Sequence, residues 1–396
     1  MANILFLAHR IPYPPNKGDK IRSWNFLSRL AANHKVHLGF FVDNKRDMEH
    51  VGTLEALTSS LCYTEVSSIG QKLLSLRAFF SGKSLTEMAY PYKKLRHYAR
   101  SVHEREPLDA IFVFSAAAAP IASAVEGVPV ICDLVDVDSE KWRAYSTRAF
   151  WPLSWLYRRE AEKLRKFEAA LAKTSKACLC VSNEEATLFR KIHPSLADRV
   201  AAIPNGVDVR IFDPSLFAKP LEGKHLMFSG AMDYQPNVDA VTWFCKDVLP
   251  LVQERHPDVE FTIAGGPAAS AVRQLARLPG VQVLGYVDDM AATLATANVC
   301  VAPLQIARGT QNKVLEAMAM GKPVIATSLA NEGINARDGE QLLVADTAED
   351  FAAAIDRLMV DRDMSEKLGK EARKFVTEEF SWSHAFDELN RFFTDA

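Results

Sequence analysis

Short, unbroken apolar runs alternate with amphipathic stretches along the whole sequence. Asn3 to Ala8 reads as a strand, Lys20 to Asn33 as a helix and Lys35 to Val42 as the next strand. Ala110 to Phe114, Pro129 to Cys132 and Ala177 to Val181 continue the series, with helical segments between them. Strands this uniformly apolar are buried on both faces, which requires parallel sheets covered by helices on either side. The pattern then restarts. His225 to Ser229, Phe261 to Ala264, Val281 to Leu284, Val299 to Ala302 and Pro323 to Ala326 are the strands of a second set. Val238 to Val252 is its first helix, entered through Pro236 and Asn237. Between the sets lies Ile203-Pro-Asn-Gly-Val-Asp208, strong turn chemistry and the natural boundary. The predicted fold class is therefore α/β, with two Rossmann-like doubly wound domains of similar size. Such sheets bind ligands outside the carboxyl ends of their strands, so the cleft between the halves is the expected site.

The 396 residues carry 47 Lys+Arg and 49 Asp+Glu, a net charge of −2 that suggests no nucleic-acid partner. The near-balance conceals a division. Residues 1–200 hold 29 Lys+Arg against 21 Asp+Glu, and residues 201–396 hold 18 against 28. Six cysteines, four of them inside apolar strand-like runs, read as buried reduced thiols. The apolar run at the start ends at Ala8, too short for a signal peptide, and Ala110 to Val125 is too short to span a bilayer. These features predict a cytoplasmic protein.

The most informative stretch runs from Ala302 to Thr327: strand, glycine-containing loop, helix, a stop at Gly321, and strand. A loop of this kind presents backbone N–H groups at the positive end of a helix, a setting that suits phosphate. Lys313 and Glu316 are three residues apart and share a helix face. They make either a nucleotide-diphosphate grip, cation on phosphate and carboxylate on ribose, or a surface ion pair. No G-x-G-x-x-G follows a strand, which disfavours a dehydrogenase. Ten basic residues between Lys141 and Lys176 are interleaved with Trp142, Tyr145, Phe150, Trp151, Trp155 and Tyr157. That mixture suits peripheral membrane contact or a lipid-linked acceptor, or else an amphipathic helix docked by its aromatic face.

Lys313-Val-Leu-Glu-Ala-Met-Ala-Met-Gly-Lys-Pro-Val-Ile-Ala326 resembles the signature helix of the retaining glycosyltransferases of family 4, which have the GT-B fold. Val181-Ser-Asn-Glu184, Pro204-Asn-Gly-Val-Asp208, Phe261-Thr-Ile-Ala-Gly-Gly-Pro267, Val283-Leu-Gly-Tyr-Val-Asp288 and Phe380-Ser-Trp382 resemble further parts of that family, so the likeness spans nearly all of the chain. Ser229 to Ala240 together with Asp133 to Trp142 is similar to a subgroup of sugar transferases linked to exopolysaccharide and PEP-CTERM/exosortase systems. The resemblance implies an acceptor domain over 1–203, a nucleotide-sugar domain over 204–379, and a final helix, 380–396, crossing back to the first domain. It implies substrate contacts at Gly18, Gly230, Tyr286, Arg308, Gly309, Thr310 and Gln311, with Lys313 on the diphosphate and Glu316 on the ribose.

Four departures from the family pattern bear on the chemistry. The family often places a glutamate on the donor sugar where this chain has Arg308, a residue that accepts no hydrogen bonds. Arg308 and Lys313 are expected to supply the diphosphate charge together, because the family's Arg and Lys after the first second-domain strand are absent from Gly230-Ala-Met-Asp-Tyr-Gln-Pro236. The first loop has Gly18-Asp19 for a Gly-Gly pair, and a His-Asp pair is replaced by Val135-Asp136. Asp136 is the candidate for orienting the acceptor hydroxyl or donor sugar. Its neighbours Asp133 and Asp138 read as loop or cap residues, or as part of a metal site. His9, just after the first strand, is a substrate contact or a structural hydrogen-bonder.

The resemblance thus implies a hexosyl transfer from a nucleotide-diphosphate sugar to a glycan or lipid-linked acceptor in exopolysaccharide or cell-surface polysaccharide synthesis. It implies no metal and no other cofactor, and contact with the inner face of the plasma membrane is part of the same expectation. The architecture also serves sugar-nucleotide epimerases, and a catalytically weak nucleotide-binding scaffold is a third reading.

Overall fold

A computed structural model describes residues 1–15, 18–218, 223–307 and 309–394. The chain divides into two units, Met1–Pro204 with Phe386–Ala396, and Asn205–Ala385.

The first unit is built on seven strands: β1 Asn3–Ala8, β2 Lys35–Val42, β3 Ser60–Glu65, β4 Ala110–Phe114, β5 Val130–Val135, β6 Ala177–Cys180 and β7 Val200–Ala202. They pair in the order β3-β2-β1-β4-β5-β6-β7, every pair parallel. The order reverses between β1 and β4, so the carboxyl ends at Ala8 and Phe114 flank a crevice of the kind that binds ligands in doubly wound sheets. β1 is wholly buried, as its apolar sequence requires. β3 and β7 escape a reading by apolar runs because they are edge strands: β3 is half-buried and mixed in sequence, and β7 is three residues long. Arg22, on the helix Gly18–Asn33, is fully buried against Asp133 at the end of β5, with Nε 2.7 Å from Oδ2. Its Nη1 donates to the Ile203 carbonyl at 2.8 Å, and its guanidinium lies 4.7 Å from the Phe26 ring centroid. Asp133 is therefore committed to an internal ion pair, and its Oδ1 also accepts the Val135 N–H at 3.2 Å, the loop hydrogen bond expected of it.

The second unit has six strands: β8 His225–Ser229, β9 Glu260–Ala264, β10 Val281–Gly285, β11 Val299–Ala302, β12 Val324–Ala326 and β13 Leu343–Val344. Their order is β10-β9-β8-β11-β12-β13, again all parallel. Here the reversal falls between β8 and β11. The expected helix 238–252 is three pieces, Gln235–Trp243, a π-helical turn Phe244–Val248, and Leu249–Arg255. Pro250 has no N–H to bond to residue 246, and Leu249 N–H reaches back to Phe244, which widens the turn. After the helix Arg362–Glu379, Val207 N–H donates to the Phe380 carbonyl at 2.7 Å, and Gly206 packs against the Trp382 backbone. These contacts hold 380–382 with the second unit. The chain joins the first unit only from Phe386, part-way along the helix Trp382–Thr394, later than the break at 380 had indicated.

Candidate functional site

The reversal point of the second sheet gathers four loops, because β8, β9, β10 and β11 run parallel and end on the same side. Ser229 leads to Gly230, Ala264 to Gly265, Gly285 to Tyr286, and Ala302 to the loop that enters the helix Asn312–Ala319. Lys313 lies in that helix's first turn. Its Nζ donates to Asn237 Oδ1 at 2.9 Å and to Gln311 Oε1 at 3.4 Å, and sits 5.4 Å from the Phe228 ring centroid. Asn237 is held in turn, donating through Nδ2 to the Ala231 carbonyl at 2.8 Å. The Lys313 amine is thus aimed at the end of β8, across the reversal point, and not along its own helix.

Gly230 shows why this point admits no side chain. Its φ is 154°, and a Cβ there would lie 2.8 Å from Asn237 Nδ2 and 3.1 Å from Lys313 Cε. The glycine leaves bare backbone beside the lysine, the arrangement that lets a phosphate approach main chain and cation together. The loop on the other side is pinned as closely. Gly309 has φ 62°, and a Cβ on Gly333 would come within 2.5 Å of the Gly309 carbonyl carbon. Thr310 Oγ1 donates to the Gly333 carbonyl at 3.1 Å and Gln311 Nε2 to the Gly309 carbonyl at 3.2 Å. Arg308, expected to share the diphosphate charge, lies outside the described residues.

Glu316 is one turn further along the helix. It and Lys313 are each half-buried. Burial pushes the Glu316 carboxyl up to about 7, with Lys313 pulling against that rise. Burial likewise brings the Lys313 amine down to about 8, opposed by Glu316. The two form no ion pair among the described residues, and the carboxylate has no hydrogen-bond donor there, so the surface ion-pair alternative is set aside. Carboxylates and ammonium groups drawn partly out of water without pairing with each other are common at ligand sites. Tyr286 stands exposed at the end of β10. Asn237 and Phe228 were missed in the sequence. Asn237 showed only as a helix entry, and nothing but the fold brings it to Lys313.

Gly18, Asp136 and His9 belong to the first unit. Gly18 opens its helix, with nothing among the described residues within 4 Å of a Cβ placed on it. His9 follows β1, with its ring centroid 5.9 Å from that of Phe114 and Nε2 3.7 Å from Asp19 Oδ2. Burial lowers its pKa, with Asp19 opposing the fall. The carboxyl ends of β4 and β5 carry unusual backbone, Ser115 with φ 73° and Val135 with φ 69°. A β-branched residue in the left-handed region is strained, and such strain collects where structure serves function. Val135 immediately precedes Asp136, which is half-buried. Burial raises the pKa of neighbouring Asp138. Among the described residues no group of three or more His, Cys, Asp or Glu is placed to hold a metal ion.

The loops at the reversal point of the second sheet lie in a stretch of the chain that resembles a known sequence family. Residues 223–361 match the model of the group 1 glycosyl transferases. Among curated relatives, the phosphatidyl-myo-inositol mannosyltransferase of Mycobacterium tuberculosis is 32% identical over 208 residues, covering 50% of this chain and 54% of that protein. The chain thus spans about half the length of that relative. The alpha-maltose-1-phosphate synthase of Mycolicibacterium smegmatis is 27% identical over 309 residues, 69% of this chain and 75% of that one. Among solved structures, Anabaena Alr3699/HepE in complex with UDP superposes with a TM-score of 0.70 at 15% identity, covering 100% of both chains. At that identity the likeness establishes the fold, and the fold is that of the GT-B glycosyltransferases. The matched family region begins just before β8 and contains Gly230, Tyr286, Lys313 and Glu316.

Proposed function

We propose that the protein is a retaining, family 4 glycosyltransferase that moves a hexosyl group from a nucleotide-diphosphate sugar to a glycan or lipid-linked acceptor in cell-surface polysaccharide synthesis. The observation that carries the reading is the Lys313 amine beside bare backbone at Gly230, with an unpaired Glu316 one helical turn away. Lys313, Arg308 and the loop at Gly309, Thr310 and Gln311 take the diphosphate. Glu316 takes the ribose hydroxyls, and Tyr286 borders the base. The second unit is then the donor domain and the first the acceptor domain, where Gly18 leaves room for substrate and Asp136 orients the acceptor hydroxyl or donor sugar. The solved relative that binds UDP supports a nucleotide at this fold, and the named mannosyltransferase supports a sugar donor.

In the reaction, the bond from the anomeric carbon to the terminal phosphate oxygen breaks and its electron pair stays on that oxygen. Negative charge grows there, and a fixed ammonium with backbone N–H groups stabilises it more than it stabilises the ground state. The acceptor oxygen bonds to the anomeric carbon from the same face. Its proton passes to the departing phosphate, so no second carboxylate is required as base. Contact with the cytoplasmic face of a membrane belongs to this reading as the place where a lipid-linked acceptor is met.

The test is a panel of UDP-, GDP- and ADP-sugars, read by calorimetric binding and by slow donor hydrolysis. The reading expects one nucleotide to bind and its sugar to be released, with both weakened in Glu316→Ala. Absence of binding by every nucleotide would overturn it. Binding with conversion of the sugar in place would favour an epimerase, and binding with neither release nor conversion a scaffold.

A further inference from the structure

The first unit exposes large apolar side chains in one connected region. Phe150 is 89% and Trp151 82% exposed, in the turn joining the helices Asp138–Arg148 and Leu153–Thr174. Trp155 is exposed one turn into the second helix. A second group, Ile69, Leu73 and Phe79, is exposed on the helix Ser68–Ser75 and the short helix Ala78–Ser81. The two groups meet. The Phe79 and Trp155 rings stack at 6.2 Å and 9°, and Arg159 lies 4.8 Å over Phe79 while its Nη2 donates to the Ala78 carbonyl at 2.6 Å. The other aromatics of this region pack together instead: Trp142 lies 5.3 Å from Tyr157 and 6.1 Å from Tyr145. So 142, 145 and 157 contact one another between the two helices, with Tyr145 still exposed, and 150, 151 and 155 are left outside that group.

The surroundings are cationic. Residues 66–100 contain seven Lys+Arg and one acidic residue, Glu87. An open cavity of about 680 Å³ beside Leu74 is lined by Arg77, Lys93, Arg96 and Arg100. None of these four pairs with a carboxylate among the described residues. Arg96 and Arg100 donate instead to the carbonyls of Pro120 and Ala124. Clusters of large exposed apolar side chains mark interaction surfaces for proteins or membranes. Aromatic residues at a protruding turn with unpaired cations beside them match one partner in both chemistry and charge, an anionic lipid surface.

We propose that residues 149–155 and 68–79 are a membrane-docking surface. Phe150 and Trp151 enter the acyl boundary, and Arg77, Lys93, Arg96 and Arg100 face lipid phosphates. This deepens the membrane contact of the reading above by naming its surface, and it stands on exposure and charge without the transfer reaction. No helix among the described residues is long and apolar enough to cross a membrane, so the contact is peripheral.

The experiment is flotation of the whole protein with vesicles of phosphatidylcholine alone or of equimolar phosphatidylcholine and phosphatidylglycerol, at low and high salt. The mixed vesicles should carry the protein at low salt and release it at high salt, and phosphatidylcholine alone should not carry it. Phe150→Ser with Trp151→Ser should abolish flotation, and Trp151→Phe should keep it. Arg77→Glu or Lys93→Glu should each lower partition by at least about fivefold, the effect of one basic residue at an anionic surface. Each variant should bind nucleotide as the parent does, which separates this surface from the donor site. No flotation on mixed vesicles at low salt, or full flotation of the Phe150→Ser, Trp151→Ser variant, would overturn the proposal. So would a parent that dimerises in sedimentation when that variant is monomeric, since the face would then cover a second copy.

Discussion

Replacing Glu316 by Gln should stabilise the free protein while weakening nucleotide binding. Burial lifts the Glu316 carboxyl from its ordinary 4.5 to about 7, so the folded state holds the proton more tightly than the unfolded chain does. A carboxyl raised in this way imposes no penalty below about pH 4.5. The penalty grows as pH rises toward the folded value and is constant above it. With those two values it amounts to about 2 kcal/mol at pH 6 and about 3 kcal/mol at pH 8. Glutamine removes the charge but keeps buried polar atoms that still lack partners, so a net gain of about 1–2 kcal/mol is expected, the attraction to Lys313 being already contained in the value of about 7. For a unit of this size that is a rise in Tm of about 2–8 °C. Differential scanning calorimetry of the nucleotide-free protein at pH 6 and pH 8 measures it, with titration calorimetry for the nucleotide. The gain should be larger at pH 8 than at pH 6. A variant that melts at or below the parent temperature at pH 8, or whose gain shrinks from pH 6 to pH 8, would refute the claim that this carboxylate is held unpaired for a ligand.

Nucleotide affinity should itself peak between about pH 7 and pH 8, because Glu316 is ionised above about 7 and Lys313 protonated below about 8. It should fall about tenfold per pH unit on either side, and a flat profile from pH 6 to pH 9 would count against both roles. Gly230→Ala puts a methyl group against Asn237 and Lys313 and forces a strained φ, so it should cost about 1–3 kcal/mol by denaturant unfolding and remove nucleotide binding. Arg22→Met leaves Asp133 buried without its partner and should destabilise the protein by about 3–5 kcal/mol, whereas Arg22→Met with Asp133→Leu should recover most of that loss. Asp136→Asn should lower turnover more than donor affinity, as a residue of the acceptor side would, and an equal loss in both would move it to the donor.

Much of the architecture can be read from local pattern alone. The central strands, such as Asn3–Ala8 and His225–Ser229, are apolar because both faces of a parallel sheet are covered, and that requirement is written residue by residue. Turn chemistry at Pro204-Asn-Gly206 and the spacing of Lys313 and Glu316 are equally local. Edge strands such as Ser60–Glu65 lack the signal because only part of their surface is buried. What only the tertiary structure decided is which distant groups meet. Asp133 is an ordinary loop aspartate in the sequence, and becomes an internal ion pair because the helix Gly18–Asn33 places Arg22 over the end of β5. Lys313 and Glu316 are neighbours by spacing, yet the lysine turns away to Asn237, 76 positions earlier, because β8 and β11 are adjacent only in the folded sheet. The sequence shows the aromatics of 142–157 as one mixed group. The fold divides them into a group whose rings touch one another and a protruding turn at 150 and 151, because which rings meet depends on how the two helices pack, and local composition does not encode that packing.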